Sequence, residues 1–158
     1  MTTDWPFDTD AELETGISFH DEGAGFMPAH PEKLYTWIEE VIHREGGQLR
    51  QLTYVFCSDQ YLHQINLEYL NHDTYTDIIT FPYAEPPVIH SDIFISVERV
   101  RENADMLKIP FEQELHRVII HGVLHLCGYP DKSEAEALKM RSKEDEALAL
   151  LNSGFSVD

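Results

Sequence analysis

The segment FEQELHRVIIHGVLHLCGY, from Phe111 to Tyr129, restricts the fold more than any other part of the chain. At helical spacing, Leu115, Val118, Ile119, Val123, Leu124 and Leu126 place apolar side chains around most of the circumference. A helix with so narrow a polar stripe has to be enclosed by other elements, which predicts a buried central helix. Pro110 opens it. Gly128 and Pro130 close it, because glycine takes the left-handed cap conformation and proline cannot continue the ladder. Two histidines, His121 and His125, sit four positions apart inside this segment.

The enclosing elements are legible on either side. ISFHDEG, from Ile17, reads as a short first strand. PEKLYTWIEEVIHREGG reads as a helix: Pro31 suits its first turn, Leu34, Trp37, Ile38, Val41 and Ile42 form one apolar face, and Gly46-Gly47 stop it. LRQLTYVFCS alternates and is rich in β-formers, so it is a strand. Ser58 or Asp59 caps a helix through about Leu70, with Leu62, Ile65, Leu67 and Tyr69 as its apolar positions. After the polar loop NHDTYT, DIITFPY and HSDIFISV are two more strands, parted by the proline-broken AEPPV. Ser96 caps a helix from Val97 to about Leu107. A last amphipathic helix, from about Ser133 to Leu151, uses Ala137, Leu138, Met140, Leu148 and Leu151, with Ser133 and Glu136 as a capping box. The sum is an α/β (α+β) domain, a small mixed four-stranded sheet packed with about five helices.

At 158 residues the chain fits a single domain, with an acidic N-terminal extension over about residues 1–15. Cys57 and Cys127 are far apart and form no C-x-x-C pair, which argues against a disulfide scaffold and suits a reducing cytosol. No apolar run approaches the roughly 20 residues of a membrane span, and the acidic start lacks a secretory signature. The expected location is cytoplasmic, with no membrane partner. The formal net charge of −18 disfavours a broad nucleic-acid surface, and DNA is not expected as a partner. The charge is uneven: residues 1–30 hold no Lys or Arg, and the stretch after Ser133 mixes both signs, so a local RNA site is compatible with it.

The histidine pair carries the chemistry. Residues four apart on a helix project from one face, with about 5–6 Å between Cβ atoms. Two ring nitrogens can then reach one zinc ion at about 2.0–2.1 Å each. The chain turns back after Gly128, and Asp131 stands where a third ligand can enter; a carboxylate is a legitimate donor to zinc. Three protein ligands, His121, His125 and Asp131, leave a fourth position for water, the catalytic arrangement. Two histidines in so apolar a helix each need polar partners, and one metal supplies both. His116 is off their face, and Cys127 reads as a core thiol. Gly122 stands where H-E-x-x-H metallopeptidases carry their general base, so water activation falls to the metal or to a carboxylate from elsewhere.

These stretches resemble a known family. HGVLHLCGYPD resembles the H-G-x-L-H-L-x-G-Y-x-H signature of the YbeY family of bacterial rRNA maturation factors. LNHDTYTDIITFPY resembles the family segment ending T-D-V-L-S-F-P, HSDIFISVERVRENA its G-D-I-x-I-S segment and following helix, and MRSKEDEAL its closing acidic helix. The likeness spans about Asn66 to Leu148 in order and spacing. It implies a zinc-dependent, single-strand-specific endoribonuclease acting in small-subunit (16S) rRNA 3′ end maturation and ribosome quality control. Single-stranded rRNA would be the substrate, and ribosomal particles or assembly proteins the partners. His121 and His125 match the first two family ligands, and the third histidine falls on Asp131. The carboxylate weakens the Lewis acidity of the ion and broadens metal preference. Leu70 stands where the family often has an arginine important for RNA cleavage, with His72 nearby.

Other residues carry paired readings. Thr76 and Asp77 are either a wall of the metal site or a strand start. Asp92 is either a partner for the outer nitrogen of a ligand histidine or a turn residue. Arg99 and Arg101 offer phosphate contacts or simply a solvated helix face. Tyr75, Phe81 and Tyr83 are base-stacking candidates or core aromatics. Two rivals to the endoribonuclease stand beside it: a metallopeptidase-like hydrolase, against which Gly122 argues, and a non-catalytic ribosome-assembly factor with a structural metal, to which the net charge and Leu70 point.

Overall fold

The computed structural model describes residues 16–154. Four strands and five helices follow one another along them: β1 (Gly16–Glu22), α1 (Pro31–Arg44), β2 (Gln48–Cys57), α2 (Asp59–Leu70), β3 (Ile78–Pro82), β4 (Val88–Ser96), α3 (Val97–Leu107), α4 (Phe111–Leu126) and α5 (Glu134–Asn152). The acidic extension over residues 1–15 lies outside the described residues. The sheet has the order β1-β2-β4-β3. β1, β2 and β4 run parallel, and β3 pairs antiparallel with β4.

The strand sequences follow from their places. β2 buries six consecutive residues, Leu52 to Cys57, and β4 another six, Ser91 to Ser96. Central parallel strands are covered on both faces and therefore lose their polar alternation. β1, at the edge, buries only Phe19. Leu52, Tyr54, Phe56, Ile93 and Ile95 face the side occupied by α1, α4 and α5, whereas Val55, Cys57, Phe94 and Ile79 face α2. β4 begins at Val88, two residues before the predicted strand, because Val88 and Ile89 find partners in Gln48 and Leu49 of β2.

Helix α4 is the buried centre that its composition predicts. Gly122 is the point of closest approach to the sheet: a Cβ there would lie 3.1 Å from both Ile78 Cδ1 and Ile93 Cδ1. A larger residue there requires the ends of the Ile78 and Ile93 side chains to give way. The buried Tyr54 hydroxyl donates to the Ile119 carbonyl at 2.9 Å, and the Trp37 indole donates to the Ala147 carbonyl at 2.8 Å, which ties α4 to the sheet and α1 to α5. The Ser58, Ser96 and Ser133 caps form, the last as a full capping box with Glu136.

Two apolar stripes are shorter than predicted. On α2, Leu62 and Ile65 are buried with Asn66, while Leu67 and Tyr69 are exposed. On α5, Met140, Leu148 and Leu151 enter the core, while Ala137 and Leu138 stay exposed. No helix among the described residues is long and apolar enough to cross a membrane.

Candidate metal centre

The helical spacing of α4 brings His121 and His125 side by side, with ring centroids 4.5 Å apart and planes at 89°. After Cys127 the chain turns through Gly128, whose φ of +108° takes the conformation that the glycine permits. The turn returns Asp131 to the histidine face. Asp131 Oδ2 lies 3.2 Å from His125 Nε2 and 3.4 Å from His121 Nε2. One donor atom from each of the three lies within 4.8 Å of the others, the only such group among the described residues.

The opposite ring nitrogens decide what those donors are. His125 Nδ1 is 2.8 Å from the Tyr129 carbonyl, which can only accept, so Nδ1 carries the hydrogen. His121 Nδ1 is 2.6 Å from Glu144 Oε2. Both rings are thereby oriented with Nε2 toward Asp131. In the neutral rings these are bare lone pairs facing a carboxylate oxygen. Such an arrangement calls for a proton or a cation at its centre, and imidazoles anchored through the far nitrogen are the usual surroundings of a bound metal. The donor set fits one divalent ion with an open position.

Glu144 is buried on α5 and is itself held by Arg117 Nη1 at 2.8 Å, while Arg117 Nη2 reaches Asp145 at 2.8 Å. Burial pushes the Glu144 carboxyl up, but the hydrogen bonds from His121 and Arg117 outweigh it and hold the group below its ordinary range. Burial pulls the His121 imidazole down, and Glu144, Asp131 and Asp77 more than reverse this, so the net direction is upward.

In front of the three donors opens a cleft of about 620 Å³, lined among others by Leu70, His72, Thr76, Asp77, Thr80 and Lys132. Thr76 and Asp77 thus wall the site. Burial raises the Asp77 carboxyl. Leu70 and His72 also reach the cleft, from the end of α2.

Other sequence candidates lie elsewhere. Asp92 is neither a histidine partner nor a turn residue. It sits inside β4 on the face toward α2, opposite Phe81, and accepts from the Tyr83 hydroxyl at 2.6 Å. Alternation along the strand puts the sheet between it and the histidines. Arg99 is bound to Asp59 at 2.7 Å, and Arg101 lies over the Phe111 ring at 4.2 Å. Tyr75 stacks on His63, and Phe81 packs edge-on against Phe94 in the smaller core. His116 packs against Trp37, and burial lowers its pKa. Burial raises the Cys127 thiol to about 11, that of an inert core group.

Residues 22–152 match the family model described as Endoribonuclease YbeY. The chain belongs to the YbeY family. It is 59% identical over 136 residues to Endoribonuclease YbeY of Flavobacterium psychrophilum, covering 86% of this chain and 96% of the relative. It is 46% identical over 141 residues to that of Christiangramia forsetii, covering 89% and 98%. A Thermotoga maritima protein solved in solution superposes with a TM-score of 0.63 at 30% identity, over 87% of this chain and 92% of that one. The YbeY match takes in every residue of the cluster, including two that sequence reasoning passed over, Arg117 and Glu144. A signal for Glu144 was present: it stands four residues after Met140 and four before Leu148, a carboxylate on the buried stripe of α5.

Proposed function

We propose that this YbeY-family chain is a metal-dependent, single-strand-specific endoribonuclease of the cytoplasm. It acts on rRNA in 3′ end maturation of the small subunit and in ribosome quality control, with zinc held by His121, His125 and Asp131. The observation that carries the reading is the double anchoring of the histidines: Glu144 and the Tyr129 carbonyl commit both Nδ1 atoms and aim both Nε2 atoms at Asp131. The relatives, named as endoribonucleases, supply the reaction class.

A divalent ion bound there supplies positive charge that acidifies a water and polarises a phosphoryl oxygen. The chain's own residues do the rest. Glu144 offsets charge on His121 and keeps its ring from rotating. Asp131 contributes a carboxylate where a histidine would be neutral, which lowers the net charge of the loaded site. Asp77, the other carboxylate lining the cleft, is placed to accept a proton from the attacking group. Lys132 and His72 at the rim offer hydrogen bonds to RNA phosphates. The position of a peptidase-type glutamate is held by Gly122, which packs tightly against Ile78 of β3 and Ile93 of β4.

Metal analysis and cleavage of a single-stranded rRNA fragment by wild type, His121→Ala and Asp131→His test the proposal. The expected result is about one zinc per wild-type chain, loss of metal and cleavage in His121→Ala, and retention of both in Asp131→His. Metal content unchanged by His121→Ala, or intact RNA at full zinc loading, overturns it. The end groups of the products distinguish attack by water from attack by the RNA 2′-hydroxyl.

A further inference from the structure

His121 is oriented by a side chain, but His125 is oriented by a main-chain carbonyl, that of Tyr129, which belongs to the turn between α4 and α5. The turn also carries Asp131. Its main-chain hydrogen bonds, from Gly128 N to the His125 carbonyl and from Tyr129 N to the Leu124 carbonyl, reach back only to the last turn of α4. At its far end Lys132 N and Ser133 N donate to Glu136 of α5, and the link from the turn to α1 is the Tyr129 side chain. The phenol donates to Glu45 Oε1 at 2.6 Å. Glu45 is the C-cap residue of α1, and its second oxygen pairs with Lys143 Nζ of α5 at 2.7 Å. Lys143 Nζ also lies 5.6 Å from the centre of the Tyr129 ring. The Glu45 and Lys143 side chains are only 14% and 18% exposed, so water screens the pair little.

We infer that Tyr129, Glu45 and Lys143 form a clamp that positions the metal-binding turn, so that two adjacent residues of α5 set both ligand histidines. Glu144 acts on His121 directly, and Lys143 acts on His125 through Glu45, Tyr129 and the Tyr129 carbonyl. The three are positioning residues, since none touches the cleft. The clamp rests on the reading of His121, His125 and Asp131 as metal ligands. Its physical basis is directional: an imidazole whose Nδ1 carries the hydrogen binds a metal only along its Nε2 lone pair, and the 2.8 Å bond to the Tyr129 carbonyl fixes that direction. Freeing the turn from α1 lets the carbonyl, the ring and Asp131 drift together.

The test measures zinc affinity by competition with a chromophoric chelator, and the visible spectrum of the cobalt-loaded protein, in Tyr129→Phe, Glu45→Ala and Glu45→Gln. Tyr83→Phe is the control, because it removes an equally short phenol–carboxylate bond, 2.6 Å to Asp92, on the opposite face of the sheet. The expected result is about a tenfold loss of zinc affinity in Tyr129→Phe and Glu45→Ala, the low end of what outer partners contribute, with shifted cobalt bands. Glu45→Gln, which still accepts from the phenol, recovers most of the loss, and Tyr83→Phe matches wild type. Tyr129→Phe removes a single oxygen and decides the matter even if Glu45→Ala does not fold. Zinc affinity in Tyr129→Phe within twofold of wild type and of Tyr83→Phe overturns the clamp while leaving the metal site standing. Wild type that binds no zinc, or His121→Ala that binds it equally, overturns the site and the clamp with it.

Discussion

The two faces of the sheet each bury a carboxylate. Asp92, toward α2, is 3% exposed, and Glu144, on the α4 and α5 side, is 5% exposed. Each makes a 2.6 Å hydrogen bond, Asp92 with the Tyr83 hydroxyl and Glu144 with His121 Nδ1. Burial is similar and the bond length is the same, but the partners differ, and Glu144 also holds Arg117. The Tyr83 phenol lies on the face away from the histidine cluster, whereas the His121 imidazole passes the orientation on through its second nitrogen to a cluster of donors. A buried acid is therefore not in itself a functional residue; what stands behind its partner makes it one. A third buried carboxylate sharpens the contrast. Glu114 is 6% exposed, and its Oε1 has no hydrogen-bond partner among the described residues.

The largest effect should come from Glu144→Ala. It leaves His121 Nδ1 without its partner and Arg117 with Asp145 alone, so stability falls by about 1–3 kcal/mol. Zinc affinity falls about 10–100-fold. Urea unfolding and chelator competition measure the two, and a variant that keeps wild-type zinc affinity breaks the distinction between the faces.

pH separates the same pair. Glu144 is depressed on folding, so its contribution is present above the ordinary glutamate pKa of about 4.3 and is lost as pH falls through the folded value. His121 is raised, so its contribution is complete below about pH 6.5 and is lost as pH rises through its folded value. Metal-free protein in chelator should therefore become less stable on both sides of that window. Zinc-loaded protein should instead gain stability as pH rises through the histidine range, because ligation requires deprotonated rings. Unfolding midpoints from pH 4 to 9, with and without zinc, read this directly. Parallel curves would exclude metal binding at His121.

Asp92→Asn should cost about 1 kcal/mol, since an acceptor for Tyr83 remains, and should leave zinc affinity untouched. A fall in affinity would show that the sheet does not insulate its two faces. The smallest change is a gain. Burial, with Asp77 adding to it, raises the Glu114 carboxyl, so the charged form opposes folding as pH rises through its folded value. Glu114→Met should add about 1 kcal/mol at pH 7 and nothing near pH 4, as measured by denaturant unfolding.

Periodicity and capping made most of the fold legible. The apolar circumference of α4, the serine caps and the long buried runs of β2 and β4 are local patterns, and each element formed within a few residues of its predicted place. Failures fell where burial depends on what lies opposite. Leu67, Tyr69, Ala137 and Leu138 are apolar residues of suitable spacing that stay exposed, Tyr69 with an edge contact to Phe81. Asp92 drew suspicion as a carboxylate in an apolar strand, and the pleat turned it to the wrong face for the histidines. Glu144 was overlooked because nothing in the stretch MRSKEDEAL tells which of its acids faces inward until α5 is docked on α4.

The order of residues alone determined the close pairing of His121 and His125, the turn that follows them, and the exclusion of a peptidase-type base by Gly122. Each is a matter of a few bonds along one helix and its cap, whose geometry is set by the backbone. Tertiary structure alone decided which nitrogens face the cleft. For His121 that choice depends on Glu144, 23 residues further on, and for His125 on the Tyr129 carbonyl, in a turn bonded to Glu45, 84 residues before Tyr129. Hydrogen bonds across such separations arise only when packing brings helices together, so no spacing in the sequence could have announced them.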